Sequence, residues 1–217
     1  MRRSSVLLII GLIAAALFIA NVGQDVVWLR VSLKSIPLIC LIAWVLLTAR
    51  DRYASLILAG LIFSLAGDVL LEISDDLFVP GLLAFLIGHV WYIAAFISAT
   101  RQLKLMRALP FTAWVIIAYL ILLPNLKDMA VPVAAYVIAI GVMMWRASAR
   151  VGAGGRTSPD QWAALIGAIL FGLSDTVLAL DKFNALSIGP SFTVIVLYWL
   201  GQLGMALSVG REAMNAG

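Results

Sequence analysis

Eight apolar runs, separated by short stretches that hold most of the charge, divide this chain from end to end. Runs of that kind have few possible fates. In hydrocarbon, backbone amides and carbonyls have no water to turn to, so each run must satisfy its own hydrogen bonds as a helix. The strict alternation of an outer-membrane barrel strand is absent. With 64% hydrophobic and 12% charged residues among 217, the chain also carries more apolar surface than a soluble domain of its size can hide.

The predicted fold is therefore an all-α, polytopic transmembrane bundle. Its eight spans are Ser5–Val22, Val31–Thr48, Tyr53–Ile73, Pro80–Thr100, Leu109–Leu123, Met129–Trp145, Asp160–Leu180 and Gly189–Val209. Each has roughly 16–21 residues, against the ~20 that cross a bilayer. Residues 1–217 are expected to form a single integral membrane domain with no room for a soluble one. Met1-Arg2-Arg3 before an apolar run is also the start of a signal-peptide pattern, but no convincing small-residue cleavage site precedes Asn21, and cleavage would leave seven spans in the same orientation.

The net charge of +4 does not mark a nucleic-acid binder, because the basic residues are spread over short loops. On one side fall Arg2, Arg3, Arg50, Arg52, Arg101, Lys104, Arg107, Arg146, Arg150, Arg156 and Arg211. The other side has only Arg30, Lys34, Lys127 and Lys182, with Asp75 and Asp76. The positive-inside rule then places both termini in the cytoplasm, and a bacterial inner membrane is the expected location. The lone Cys40 excludes an internal disulfide, and one cysteine with one histidine excludes Cys-based or multi-His metal sites.

Two carboxylates break the apolar pattern. Asp68 lies in Ser64-Leu65-Ala66-Gly67-Asp68, and Asp175 in Phe171-Gly172-Leu173-Ser174-Asp175-Thr176. An aspartate at the centre of a spanning helix costs about 2.5–3.5 kcal/mol on insertion scales, so packing alone seldom keeps it there. The two stand 107 residues apart, an offset that superposes the third span on the seventh. They stand four spans apart in the count, which fits a four-plus-four parallel repeat with both aspartates at one depth in the outer half. The plain alternative for each is a structural bond to a neighbouring helix; Ser174 and Thr176 point to such a polar seam around Asp175.

Other polar residues share helix faces with these. Ser64 and Glu72 lie one turn either side of Asp68, Ser64 as an interhelical hydrogen-bonding group and Glu72 as a solvated boundary residue. Gly81, Phe85, His89 and Tyr92 form one stripe of the fourth span. His89 either bonds a backbone carbonyl or Tyr92, or switches protonation near neutral pH. Lys34 opens the second span near Pro37, either snorkelling to headgroups or facing the carboxylates or a lipid phosphate. Tyr198 and Gln202 form a polar pair in the last span, and Gln202 is expected to face the bundle interior.

Taken in order, Lys34 with Pro37, Ser64-x-x-Gly67-Asp68, Phe78-x-x-Gly81-x-x-x-Phe85-x-x-x-His89-x-x-Tyr92, Phe171-x-x-Ser174-Asp175 with Phe183, and Tyr198-x-x-x-Gln202 resemble the lysoplasmalogenase (YhhN-like) membrane family. The resemblance covers the second to fourth spans and the last two. Members often have Lys and Pro adjacent, whereas here Ser35 and Ile36 intervene.

The resemblance implies hydrolysis of the vinyl ether bond of a lysoplasmalogen, giving a fatty aldehyde and a glycerophospho-choline or -ethanolamine. That chemistry suits the residues. Protonating the β-carbon of a vinyl ether makes an oxocarbenium-like cation that water captures. The reaction needs a carboxylic acid holding its proton and an anion to stabilise the cation. Two carboxylates sharing one proton supply both, with either aspartate as the acid. Asp68, Asp175 and His89 are the expected catalytic residues, with Lys34, Ser64, Tyr92, Ser174, Tyr198 and Gln202 in support. No metal or other cofactor is expected, the substrate is a lysophospholipid in the bilayer, and neither nucleic acid nor an obligate protein partner is implied. Its tail is expected to enter laterally, with the headgroup at the interface. Three other readings compete: a metal site of Asp68, Asp175 and His89, a proton-coupled transporter of small molecules or lipids, and a catalytically silent lipid-binding protein.

Overall fold

The computed structural model describes residues 2–21, 26–155, 157–186 and 192–210, and among them every regular element is a helix. Eight α-helices follow one another: α1 Arg2–Ala20, α2 Val27–Thr48, α3 Arg52–Ile73, α4 Phe78–Ala99, α5 Leu109–Leu122, α6 Ala130–Arg150, α7 Ser158–Lys182 and α8 Phe192–Leu207. Short 3-10 turns join some of them. Helices α2 to α7 are long and apolar enough to cross a membrane; α1 and α8 contribute shorter apolar stretches. Large apolar side chains such as Leu47, Ile117, Leu120 and Val131 stand exposed on the helices. An apolar surface so extensive needs lipid as its solvent. This is an integral membrane protein.

Each expected span has its helix, and the differences at the ends matter for the site. Helix α2 begins at Val27, one turn before the expected Val31, so Arg30 lies inside it and not in a loop. Helix α6 runs on to Arg150, one turn past the expected Trp145. Its added turn carries Arg146 and Arg150, assigned above to a loop, and both are buried. Arg146 stays there because its guanidinium donates to the carbonyls of Thr100 (2.5 Å) and Gln102 (3.0 Å), beyond the end of α4. Arg107 returns the favour, donating to the carbonyls of Ser148 and Val151 at 2.6 and 2.9 Å. The start of the eighth expected span, residues 189–191, lies outside the described residues.

The chain divides into two compact units, with the division in the last turns of α4. In the unit of α1–α4, Asp51 caps α3 by accepting from the Ala54 amide at 2.7 Å. Pro37 lies within α2. Glycines bring α3 against α4: a Cβ on Gly60 would collide with the Tyr92 ring, and one on Gly67 would come within 2.5 Å of the Phe85 ring.

In the unit of α5–α8, α7 and α8 touch backbone to backbone. A Cβ on Gly204 would lie 2.6 Å from the Gly167 Cα, and one on Gly167 would lie 2.8 Å from the Gly201 carbonyl. Small residues allow this approach where dispersion, and not the exclusion of water, holds helices together. Leu122, Leu126, Val133, Val137 and Leu180 close the end where α5 turns into α6.

Candidate active site

Asp68 is buried on α3, and its company comes from α2. The Lys34 ammonium lies 3.4 Å from Asp68 Oδ1 and donates to Glu72 Oε2 at 3.2 Å. Arg30 Nε lies 2.9 Å from the other Glu72 oxygen, Oε1. The arrangement follows from helix geometry. Arg30 and Lys34 are four residues apart on α2, as are Asp68 and Glu72 on α3, so each pair sits on one face one turn apart. Two rungs result. The deeper one is Lys34–Asp68, with side-chain exposures of 13% and 4%; the shallower is Arg30–Glu72, with 30% and 16%.

Glu72 therefore corrects one expectation. It is not a solvated boundary carboxylate but the shared acceptor of two cations. Lys34 likewise faces the carboxylates and does not snorkel away from them, and the Ser35-Ile36 spacing before Pro37 does not prevent it.

His89 is fully buried on α4, with Nδ1 2.7 Å from the Phe85 carbonyl. A carbonyl can only accept, so Nδ1 carries the hydrogen. Ser64 and Tyr92 are both fully buried. The close approach of α3 and α4 puts Gly88, beside His89, against Ser64: a Cβ there would lie 3.2 Å from Ser64 Oγ.

In the other unit, Asp175 is buried on α7 and accepts a 2.7 Å hydrogen bond at Oδ2 from the Tyr136 hydroxyl of α6. The polar seam expected there is present. Ser174 Oγ donates to the Val194 carbonyl at 2.8 Å, Thr176 to the Gly172 carbonyl at 2.7 Å, and Trp114 Nε1 to Thr176 Oγ1 at 3.1 Å. On α8, Tyr198 packs edge-on to Phe171 with ring centroids 5.4 Å apart. Gln202 is fully buried, as expected of a residue facing inward.

The structure thus groups Lys34, Asp68 and Glu72 with Arg30 in one unit, and Asp175 with Tyr136 in the other. Arg30, Glu72 and Tyr136 are the site residues that sequence reasoning missed. The first two were detectable by spacing, since each repeats a singled-out residue at one helical turn; Tyr136 had no motif to mark it. Among the described residues, no three His, Cys, Asp or Glu side chains gather as a metal site requires.

Comparison with known proteins gives a consistent result. The model of the YhhN family matches residues 29–209, which spans α2 to α8. Lysoplasmalogenase TMEM86A of Bos taurus is 35% identical over 193 residues, covering 83% of this chain and 78% of the relative. Lysoplasmalogenase TMEM86B of Homo sapiens is 32% identical over 188 residues, covering 85% and 77%. No solved structure matches.

Proposed function

This chain belongs to the YhhN family, and from that premise we propose that it is a membrane-embedded lysoplasmalogenase, hydrolysing the vinyl ether of a lysophospholipid to a fatty aldehyde and a glycerophospho-headgroup. Relatives of 32–35% identity that bear that name support the reaction. The observation that carries the chemistry is the Asp68 carboxylate, buried in an apolar helix with the Lys34 ammonium 3.4 Å away.

Asp68 and Asp175 divide two tasks. A carboxyl group that holds its proton acts as the acid, and a carboxylate stabilises the oxocarbenium ion. Asp68, with the Lys34 ammonium 3.4 Å away, is assigned the anion's part. Asp175, whose Oδ2 accepts from the Tyr136 hydroxyl, is assigned the acid's part. Its proton goes to the vinyl β-carbon as the π pair forms the new C–H bond, leaving the positive charge shared by the α-carbon and the ether oxygen. Water adds to the α-carbon and returns a proton to Asp175. The hemiacetal then breaks its C–O bond to the glycerol, releasing aldehyde and alcohol. His89 Nε2 orients the water. Lys34, Ser64, Tyr92, Ser174, Tyr198 and Gln202 support the site, and a bacterial inner membrane is its setting.

The purified protein is expected to release aldehyde from 1-alkenyl-glycerophosphocholine. In D2O the aldehyde acquires one deuterium at C2, the mark of carbon protonation. Asp68→Asn and Asp175→Asn should each lower kcat/KM by about 10²–10⁴-fold, the usual worth of a positioned acid or base. Unchanged aldehyde release in both variants would rule the division of tasks out.

A further inference from the structure

The turn that joins α4 to α5 carries charge that no acid answers. Lys104 Nζ donates to the Val151 carbonyl at 2.7 Å, and Arg107 Nη1 donates to the same oxygen at 2.9 Å and to the Ser148 carbonyl at 2.6 Å. Two cations thus converge on one neutral oxygen. Among the described residues, no carboxylate pairs with either of them. Partial desolvation, and after it the Arg107 charge, lower the Lys104 ammonium from its ordinary pKa.

An open apolar furrow of about 170 Å³ runs between α5 and α6 from the same place. Ala108, next to Arg107 in the chain, and Trp145, one turn before Ser148, line one end of it. Val115 and Ile138 line it two turns further along. We propose that the cation pair and the furrow form one binding site for an anionic phospholipid of the surrounding bilayer, its phosphate on Lys104 and Arg107 and one acyl chain between α5 and α6. The site does not depend on the reaction proposed above. Tyr136, which meets Asp175, lies about 14 Å before Trp145 along α6.

Charge selects the head. A zwitterionic head would bring an ammonium to two cations with no carboxylate there to receive it, whereas a head bearing phosphate alone supplies the missing anion. Arg107 engages the two carbonyls through Nη1, which leaves the planar edge of Nε and Nη2 on an exposed side chain for a phosphate's oxygens.

The surroundings select a lipid over a soluble anion. Leu103, Leu105 and Met106, interleaved with the two cations, are 53%, 63% and 78% exposed. Apolar and basic side chains mixed on one exposed turn suit the boundary of a bilayer. Trp145, whose Nε1 donates to the Leu103 carbonyl at 2.9 Å, is of a type that favours that boundary. A chain attached to a phosphate at Arg107 would enter the furrow at Ala108.

The test measures lipid affinities of the full-length protein by native mass spectrometry. Saturated diacyl phosphatidylglycerol and phosphatidylcholine share phosphate and chains, and neither has a vinyl ether. The first should bind about tenfold more tightly. Lys104→Gln with Arg107→Gln should abolish the preference. Arg50→Gln with Arg52→Gln, the same loss of charge in the other compact unit, should keep it. Thr112→Trp, which fills the furrow and touches neither cation, should weaken both lipids severalfold. Equal affinities in the unaltered protein would overturn the proposal. So would a preference that the Arg50 and Arg52 changes remove as fully, since overall charge would then be its source. Displacement of phosphatidylglycerol by an equal concentration of chainless glycerophosphoglycerol, or Thr112→Trp without effect, would overturn the seat of the chain. Should the Lys104 and Arg107 double variant not fold, Lys104→Gln alone decides: the preference should fall about threefold, and an unchanged one refutes the site.

Discussion

Lys34 holds two carboxylates at once, and its removal would be felt at both. Taking the cation away from a buried partner leaves that charge uncompensated, at a cost of about 3–5 kcal/mol. Lys34→Met is therefore expected to lower the thermal midpoint in detergent sharply, while Lys34→Arg keeps most of it; equal midpoints for the two would show that charge is not what matters there. Tyr136→Phe is a milder loss. It deletes the hydrogen bond to Asp175, worth about 0.5–1.5 kcal/mol, or up to about 3 if the carboxyl is charged. At this scale the sequence was a partial guide. Asp68, Asp175, Ser64, His89, Tyr92 and Gln202 stood out because polar groups in apolar runs must find partners inside, and all of them are buried. Glu72 was misjudged because its depth was measured from the end of its own helix. Its partner, Arg30, lies one turn before Lys34, in the turn by which α2 begins earlier than expected.

Helix contacts give predictions of another kind. At Gly204 an added methyl meets backbone, which cannot step aside, so Gly204→Ala should cost about 1–3 kcal/mol. Gly172 is a useful contrast. Its added Cβ would come 3.0 Å from the Met144 sulfur and from Ile140 Cγ2, and the flexible methionine can give way. Resistance to unfolding in a detergent series should fall clearly for the first variant and little for the second; the reverse order would contradict the close contact of α7 and α8. The length of α6 was the element least legible in the sequence. Arginines normally end a span, and only the carbonyls of Thr100 and Gln102, remote in sequence, explain how Arg146 continues one. Arg146→Lys should loosen that end, because an ammonium lacks the fork that reaches two carbonyls. Faster proteolysis between Thr100 and Lys104 is the expected sign.

For the whole molecule, charge asymmetry predicts that the turn holding Asp75 and Asp76 lies outside and the turn holding Arg101 inside. Cys40 is buried, so a membrane-impermeant maleimide should leave the unaltered protein unlabelled. In intact cells Asp76→Cys should label at once, and Arg101→Cys only after permeabilisation; the opposite pattern would invert the topology. The helical, membrane-spanning character was fully legible, because apolar length and backbone satisfaction admit few alternatives. The four-plus-four repeat is a proposal still, with two observations in its favour. The division into compact units falls near the end of α4. Gly60 and Gly167, 107 residues apart like the two aspartates, each occupy a close approach, of α3 to α4 and of α7 to α8.

Pro37 gives α2 a weak point just below its two cations. Its ring removes the amide proton that would have bonded to the carbonyl of Leu33, and it crowds that carbonyl as well. The first turns of the helix are thus tethered by one backbone hydrogen bond fewer at that point. Arg30 and Lys34 ride on the same short lever. Whatever shifts one cation would tilt the other with it, so the pairing at Asp68 and the pairing at Glu72 would change together.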